Sequence, residues 1–94
     1  VIARLTADHK VPEQEQLLTA GSVCFALLQS AQALDFGAQW LTGWPCYDRP
    51  FLENTLGLRP DEQLVGTIAM GTPQVDVPDR ERPDPRDLLT DLTL

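Results

Sequence analysis

Leu17 to Gly43 reads LLTAGSVCFALLQSAQALDFGAQWLTG, and its reading decides how the rest of the chain folds. No charged residue occurs between Glu15 and Asp35, and from Ala20 to Leu28 the one clearly polar side chain is Ser22. A helix that is apolar on nearly every face has to be buried on nearly every face. The stretch closes on Phe36-Gly37-Ala38-Gln39-Trp40-Leu41-Thr42-Gly43, where glycines bracket a tryptophan and a hydroxyl. The core and the candidate site are both expected here.

The 94 residues allow one small domain, and a chain this short buries only about 60–65% of its unfolded surface. So few residues cannot wrap a fully apolar helix. Either a second chain covers part of it or the 94 residues belong to something larger. The opening Val1-Ile2-Ala3-Arg4-Leu5 is an apolar run without an initiator Met, which fits the second alternative. A net charge of −7 argues against nucleic acid, because displacing phosphate counterions takes clustered Lys and Arg. Membrane-surface binding is disfavoured for the same reason. The central helix does not read as a span, since Gln16, Gln29, Ser30, Gln32 and Asp35 interrupt it and a span wants about 20 predominantly apolar residues. No signal peptide is visible, and a cytoplasmic location is expected. Cys24 in mid-helix and Cys46 in a loop form no C-x-x-C, so a metal site lacks ligands. A nucleophilic pair of Cys46 and His9 has no local support, and two reduced cysteines are the expected state.

In order along the chain, Val1 to Thr6 reads as a short strand internal to a sheet, ended by the polar turn Ala7-Asp8-His9-Lys10. Pro12 suits the first turn of a helix, with Glu13 and Glu15 well placed against the positive end of its dipole. The helix is expected to run to Leu34, on the order of 30 Å. Ala20, Gly21, Ser22 and Cys24 are small enough for another helix to approach closely, and a helix shared with a second subunit is the favoured reading. Asp35 to Gly37 end it, with Gly37 supplying a left-handed turn. Gly43 to Tyr47 reads as a loop. Asp48 then caps a short helix carrying Phe51, Leu52 and Leu56, closed by Gly57. After the connector Arg59-Pro60-Asp61-Glu62, Gln63 to Met70 reads as one interior strand covered on both faces. Gly66 marks a close approach by a backbone or ligand, or simple packing. From residue 72 to 94 the composition shifts to an extended arm: Pro73, Pro78, Pro83 and Pro85 exclude helix and central strand, and Leu88, Leu89, Leu92 and Leu94 give it a sticky end.

Taken in sequence, the strand, the H-K-V-P turn, the Ala20-Gly21 helix, the F-G-A-x-W-x-T-G loop, the short helix ending L-G-L, Val65 to Pro73 and the Arg-Pro-Asp tail resemble the C-terminal half of the FMN-dependent nitroreductase family. The likeness is strongest to its compact NAD(P)H nitroreductase subgroup and covers nearly the whole chain. It implies an α+β fold, with residues 1–94 as the C-terminal part of a single domain whose N-terminal half is absent. It further implies a homodimer with long helices at the interface and FMN sites built from both chains. The activity implied is transfer from NAD(P)H through flavin to a small nitroaromatic or quinone-type acceptor, in a two-electron ping-pong cycle.

Carried onto this sequence, the family's flavin contacts fall on Trp40, Leu41 and Thr42, with Gly43 adjacent. The stretch assigned to the nicotinamide nucleotide falls on Ser30, Ala31, Gln32, Ala33, Leu34 and Asp35. Arg80 and Arg82 match a basic pair that faces the FMN phosphate, and guanidinium forks suit phosphate, although Asp79, Glu81 and Asp84 crowd them. The Arg-Arg-Ser-x-Arg phosphate grip of the family's N-terminal half has no counterpart in these residues. No side chain reads as a general acid or base, and no catalytic residue is assigned. The competing reading is a non-enzymatic helical dimerisation module whose arm embraces its partner.

Overall fold

A computed structural model describes residues 1–93; Leu94, read with the apolar end of the arm, lies outside them. Strand β1 (Ile2–Arg4) leads to helix α1 (Glu13–Ala33), strand β2 (Gly37–Leu41), helices α2 (Trp44–Tyr47) and α3 (Arg49–Asn54), and strands β3 (Glu62–Leu64) and β4 (Thr67–Gly71). A short 3-10 turn at Pro85–Leu88 interrupts the arm. The strands form two antiparallel pairs, β1 with β3 and β2 with β4. This is a mixed fold of helices and antiparallel strands.

Helix α1 begins one residue after Pro12, whose φ of −57° fits the entry to a helix. Pro12 offers no side-chain cap, and the junction is held by Gln16 instead. Its amide accepts from the Thr6 N–H at 2.9 Å and donates to the carbonyls of Thr6 and Val11 at 3.1 and 2.9 Å. The helix ends in a Schellman closure. The Phe36 N–H reaches the Ala31 carbonyl at 2.9 Å and the Asp35 N–H the Gln32 carbonyl at 3.1 Å, with Asp35 at φ +61°. The left-handed residue is therefore Asp35, and the expectation of Gly37 in that role is corrected: Gly37 is the first residue of β2.

Four further expectations change. Phe36 to Gly43 is a strand followed by a turn rather than a loop, because Gly37 to Leu41 pair with Gly71 to Thr67. Gln63 to Met70 is two strands, each with a different partner, broken at Val65 and Gly66. Cys46 lies in α2 and is buried. Trp44 to Tyr47 can close into a helical turn because Pro45 stands in its first turn, where a missing N–H costs nothing. The arm, expected to exclude helix, admits the 3-10 turn where Asp84 accepts from the Arg86 N–H at 2.9 Å.

The short helix α3 forms as expected. Asp48 Oδ1 accepts from the Phe51 N–H at 2.8 Å, and Gly57, at φ +70°, lets the Leu58 N–H return to the Leu52 carbonyl at 3.0 Å. Both leucines join Cys46 and Leu64 in the main core, with Phe51 against it. A second, thinner contact layer lies where α1 crosses the β2–β4 ribbon. There Cys24 and Ala31 are buried, while Leu18, Val23 and Phe25 are exposed. In this chain the helix is thus covered on one face only, contrary to the expectation of burial all round. The radius of gyration is 17.3 Å, against about 12 Å for a compact domain of this length. The accessible surface is 7960 Å², against about 5,400 Å² for a compact monomer of this mass.

Candidate functional site

The β2–β4 register fixes the surroundings of the candidate segment Trp40 to Gly43. Trp40 stands opposite Ile68 and Leu41 opposite Thr67, and alternation along a strand sends Trp40 to one face and Leu41 to the other. The Trp40 face meets α1; Gln39, Leu41, Thr67 and Ala69 make an exposed outer face. Gly66 is the diagonal neighbour of Trp40 on the inner face, a position within reach of an aromatic ring. A Cβ built on Gly66 would lie 2.5 Å from Trp40 Cδ1 and closer still to Nε1, and one built on Gly21 would lie 3.5 Å from Cη2. The indole therefore bridges the ribbon and the helix, one edge against each glycine. The close approach at Gly66 is a side chain of the same chain. Trp40 Nε1 is buried and has no acceptor among the described residues.

Beside the indole lies a groove of about 700 Å³ walled by Leu17, Leu18, Phe25, Trp40 and Val65, with Glu13 as its one charged residue. β2 leaves the groove at Leu41, whose carbonyl accepts from Thr67 Oγ1 at 3.3 Å. Thr42 follows, exposed, and then Gly43 at φ +134° and ψ −168°, a conformation essentially confined to glycine. That turn sets the Gly43 carbonyl to accept from the Cys46 N–H at 2.9 Å and starts α2. Trp44 packs edge-on against Phe51 with ring centroids 5.0 Å apart.

Of the segment read for the nicotinamide nucleotide, Ser30, Ala31 and Leu34 border an apolar hollow of about 370 Å³ with Phe36 and Met70. Gln32 and Ala33 are exposed outside it, and Asp35 occupies the left-handed turn. Arg80 and Arg82 stand on the exposed arm and border neither cavity. Arg82 pairs with Asp79 at 2.5 Å.

The perturbed titrating groups lie elsewhere. A hydrogen bond from Arg4 at 2.9 Å holds the Asp61 carboxyl below its usual range. Glu62 is lowered by the Arg59 N–H and guanidinium, whose own pKa is raised in return. On the arm, Arg86 lowers Asp84. These are exposed ion pairs that fix the connector and the arm. A third hollow, about 590 Å³, borders the connector, and its cation Arg49 is already engaged by Glu53 at 2.6 Å and by the carbonyls of Glu62 and Arg59. His9 Nδ1 accepts from the Val11 N–H at 3.1 Å, while Cys24 and Cys46 are free and buried. Gly66 and Gly21 stood out in the sequence as a close approach and as a small helix residue, but that Trp40 is the neighbour they share was not legible there.

Residues 1–72 match the Nitroreductase family, and the chain belongs to it. The match ends next to the last residue of β4, so the arm lies beyond it. The chain is 34% identical over 85 residues to the protein named "Putative NAD(P)H nitroreductase YdjA" in Escherichia coli strain K12, and to its namesake in Escherichia coli O157:H7. Each alignment covers 84% of this chain and 46% of the relative. The chain thus spans about half the length of the curated relatives it matches. Among the described residues no helix is long and apolar enough to cross a membrane.

Proposed function

We propose that these residues are the C-terminal part of an FMN-dependent oxidoreductase domain that takes electrons from NAD(P)H and delivers them to a nitroaromatic or quinone-type acceptor, working as a homodimer. Membership of the Nitroreductase family carries the reading. The observation that supports its location is Trp40, which walls the apolar groove and is followed at once by the exit of β2 through Leu41, Thr42 and Gly43. The donor set fits the ring end of a flavin: an exposed hydroxyl on Thr42, strand backbone, and a glycine turn without a Cβ to obstruct a flat ligand. It does not fit the phosphate end, because among the described residues no cation lines the groove and Glu13 stands in it. Phosphate contacts then come from Arg80 and Arg82 through movement of the arm, or from outside these residues.

FMN, when bound, supplies the hydride chemistry, and the protein supplies position and environment. Trp40, Leu41 and Thr42 would hold the ring, with Gly43 allowing close approach. The apolar wall would keep water from the ring's inner edge, while the end of α1 from Ser30 to Leu34 would border the nucleotide's approach. The exposed apolar faces of α1 and the surface excess over a compact monomer fit a partner subunit and a further half of the domain. A non-enzymatic dimerisation module would need the same cover, and flavin loading separates the two.

The test is titration of apo full-length protein with FMN, followed by flavin fluorescence. Trp40→Ala is expected to weaken binding at least tenfold. Unchanged affinity would remove the site assignment, and a wild-type protein that never takes up FMN would favour the module.

A further inference from the structure

We infer that Gly66 is a positioning residue: together with Gly21 it forms a slot for the Trp40 indole, and the seated indole fixes where Leu41, Thr42 and Gly43 lie. The slot itself stands on geometry alone; its consequence for flavin rests on the function proposed above. Three observations converge. Gly66 is buried, and any side chain there would overlap the five-membered ring of Trp40, which is a rigid body with two torsions and cannot give way at its far end. On the opposite edge the indole reaches α1 at Gly21, where a Cβ would stand 3.5 Å from Cη2, an ordinary van der Waals contact, so the tight wall of the slot is Gly66. The indole N–H is buried without an acceptor among the described residues, so the slot gives the ring no polar anchor. Shape rather than hydrogen bonding therefore holds the ring. Because Trp40 is one residue from the end of β2, any displacement of the ring is transmitted directly to the strand exit.

A residue that acts only through Trp40 has no effect once Trp40 is gone. The experiment is a double-mutant cycle of Gly66→Ala and Trp40→Ala in the full-length protein, read by FMN Kd, by Tm, and by the fluorine resonance of Trp40 in 5-fluorotryptophan-labelled protein, assigned by its loss in Trp40→Phe. Gly66→Ala is expected to shift the Trp40 resonance, lower Tm and raise the FMN Kd at least tenfold. In the Trp40→Ala background the same change should alter Kd and Tm by less than twofold and 1 °C. An unshifted resonance, or an equal effect of Gly66→Ala in both backgrounds, overturns the slot. A shifted resonance with unchanged FMN Kd overturns the positioning role. If Gly66→Ala alone fails to fold, recovery of folding in the double variant supports the slot and continued failure overturns it. A wild-type protein that binds no FMN refutes the flavin reading instead, and the resonance and Tm arms then decide the slot by themselves.

Discussion

The turn that ends α1 offers a test with separable contributions. Asp35 holds φ at +61° in the Schellman closure, and its carboxylate makes no hydrogen bond or ion pair among the described residues. The left-handed conformation costs an L-residue about 1–2 kcal/mol, less for Asp than for most. Glycine removes that cost but loses about 0.5–1 kcal/mol through greater freedom in the unfolded chain. A negative charge at a helix C-terminus adds about 0.3–1 kcal/mol of unfavourable dipole interaction. Asp35→Gly should therefore stabilise the protein by about 0.5–1.5 kcal/mol, or about 1–5 °C in Tm for a protein roughly twice this length. Asp35→Asn keeps a residue tolerant of the turn and removes only the charge, so it should give the dipole part alone, a gain that shrinks as salt screens it. Asp35→Val should lose about 1 kcal/mol or more, since a β-branched residue tolerates this conformation worst. Gly37→Ala is the control. Its φ is not left-handed, and an added Cβ would meet Pro73 Cγ at 3.4 Å and the Gly71 carbonyl at 3.5 Å, so the change should fall within about 0.5 kcal/mol. The assay is thermal unfolding of the full-length variants at low and high salt. A lower Tm for Asp35→Gly, or a larger loss from Gly37→Ala than from Asp35→Val, would refute the assignment of the turn.

Gly43→Ala should cost about 1–3 kcal/mol in chemical denaturation, because φ +134° with ψ −168° excludes a Cβ; a neutral result would mean that the Thr42–Trp44 turn is not as described. Asp48→Ala removes the cap on the Phe51 N–H and should lower stability by about 0.5–2 kcal/mol, with Asp48→Asn largely restoring it. The Asp61 carboxyl is held below its usual range by Arg4, so the stability it contributes is present above the ordinary carboxylate pKa of about 4 and is lost as pH falls through the lower folded value. The Tm difference between wild type and Asp61→Asn should accordingly be largest at neutral pH and shrink on acidification; a difference that grows in acid would reverse the linkage.

The elements whose signals are local were legible in the sequence. Apolar content with an early Pro12 and a late break gave α1 almost to the residue, and Asp48 with Gly57 bracketed α3, because capping and left-handed closure act within one helical turn. The order of weak motifs was enough to reach the family, since spacing carries information that each motif lacks. The candidate segment Trp40 to Gly43 was located by that resemblance, and its surroundings were not foreseen. What failed was pairing. Nothing local distinguishes a loop from a strand at Gly37–Leu41 until Thr67–Gly71 lies beside it, and the single interior strand at Gln63–Met70 divides only because its two ends hydrogen-bond to different partners.

The sequence by itself determined a long apolar helix, a capped short helix, an acidic and proline-broken arm, and membership of a family, because each of these follows from residues close together or from their order. Tertiary structure decided which glycine matters and why. Gly21, Gly37 and Gly66 look alike as letters, yet a side chain is forbidden at Gly66 by an indole 26 positions away in the chain, while Gly37 has room and Asp35 takes the strained turn. Conformational cost is written into a residue, but steric exclusion is a property of its neighbours, and those are known only once the ribbon has closed on the helix.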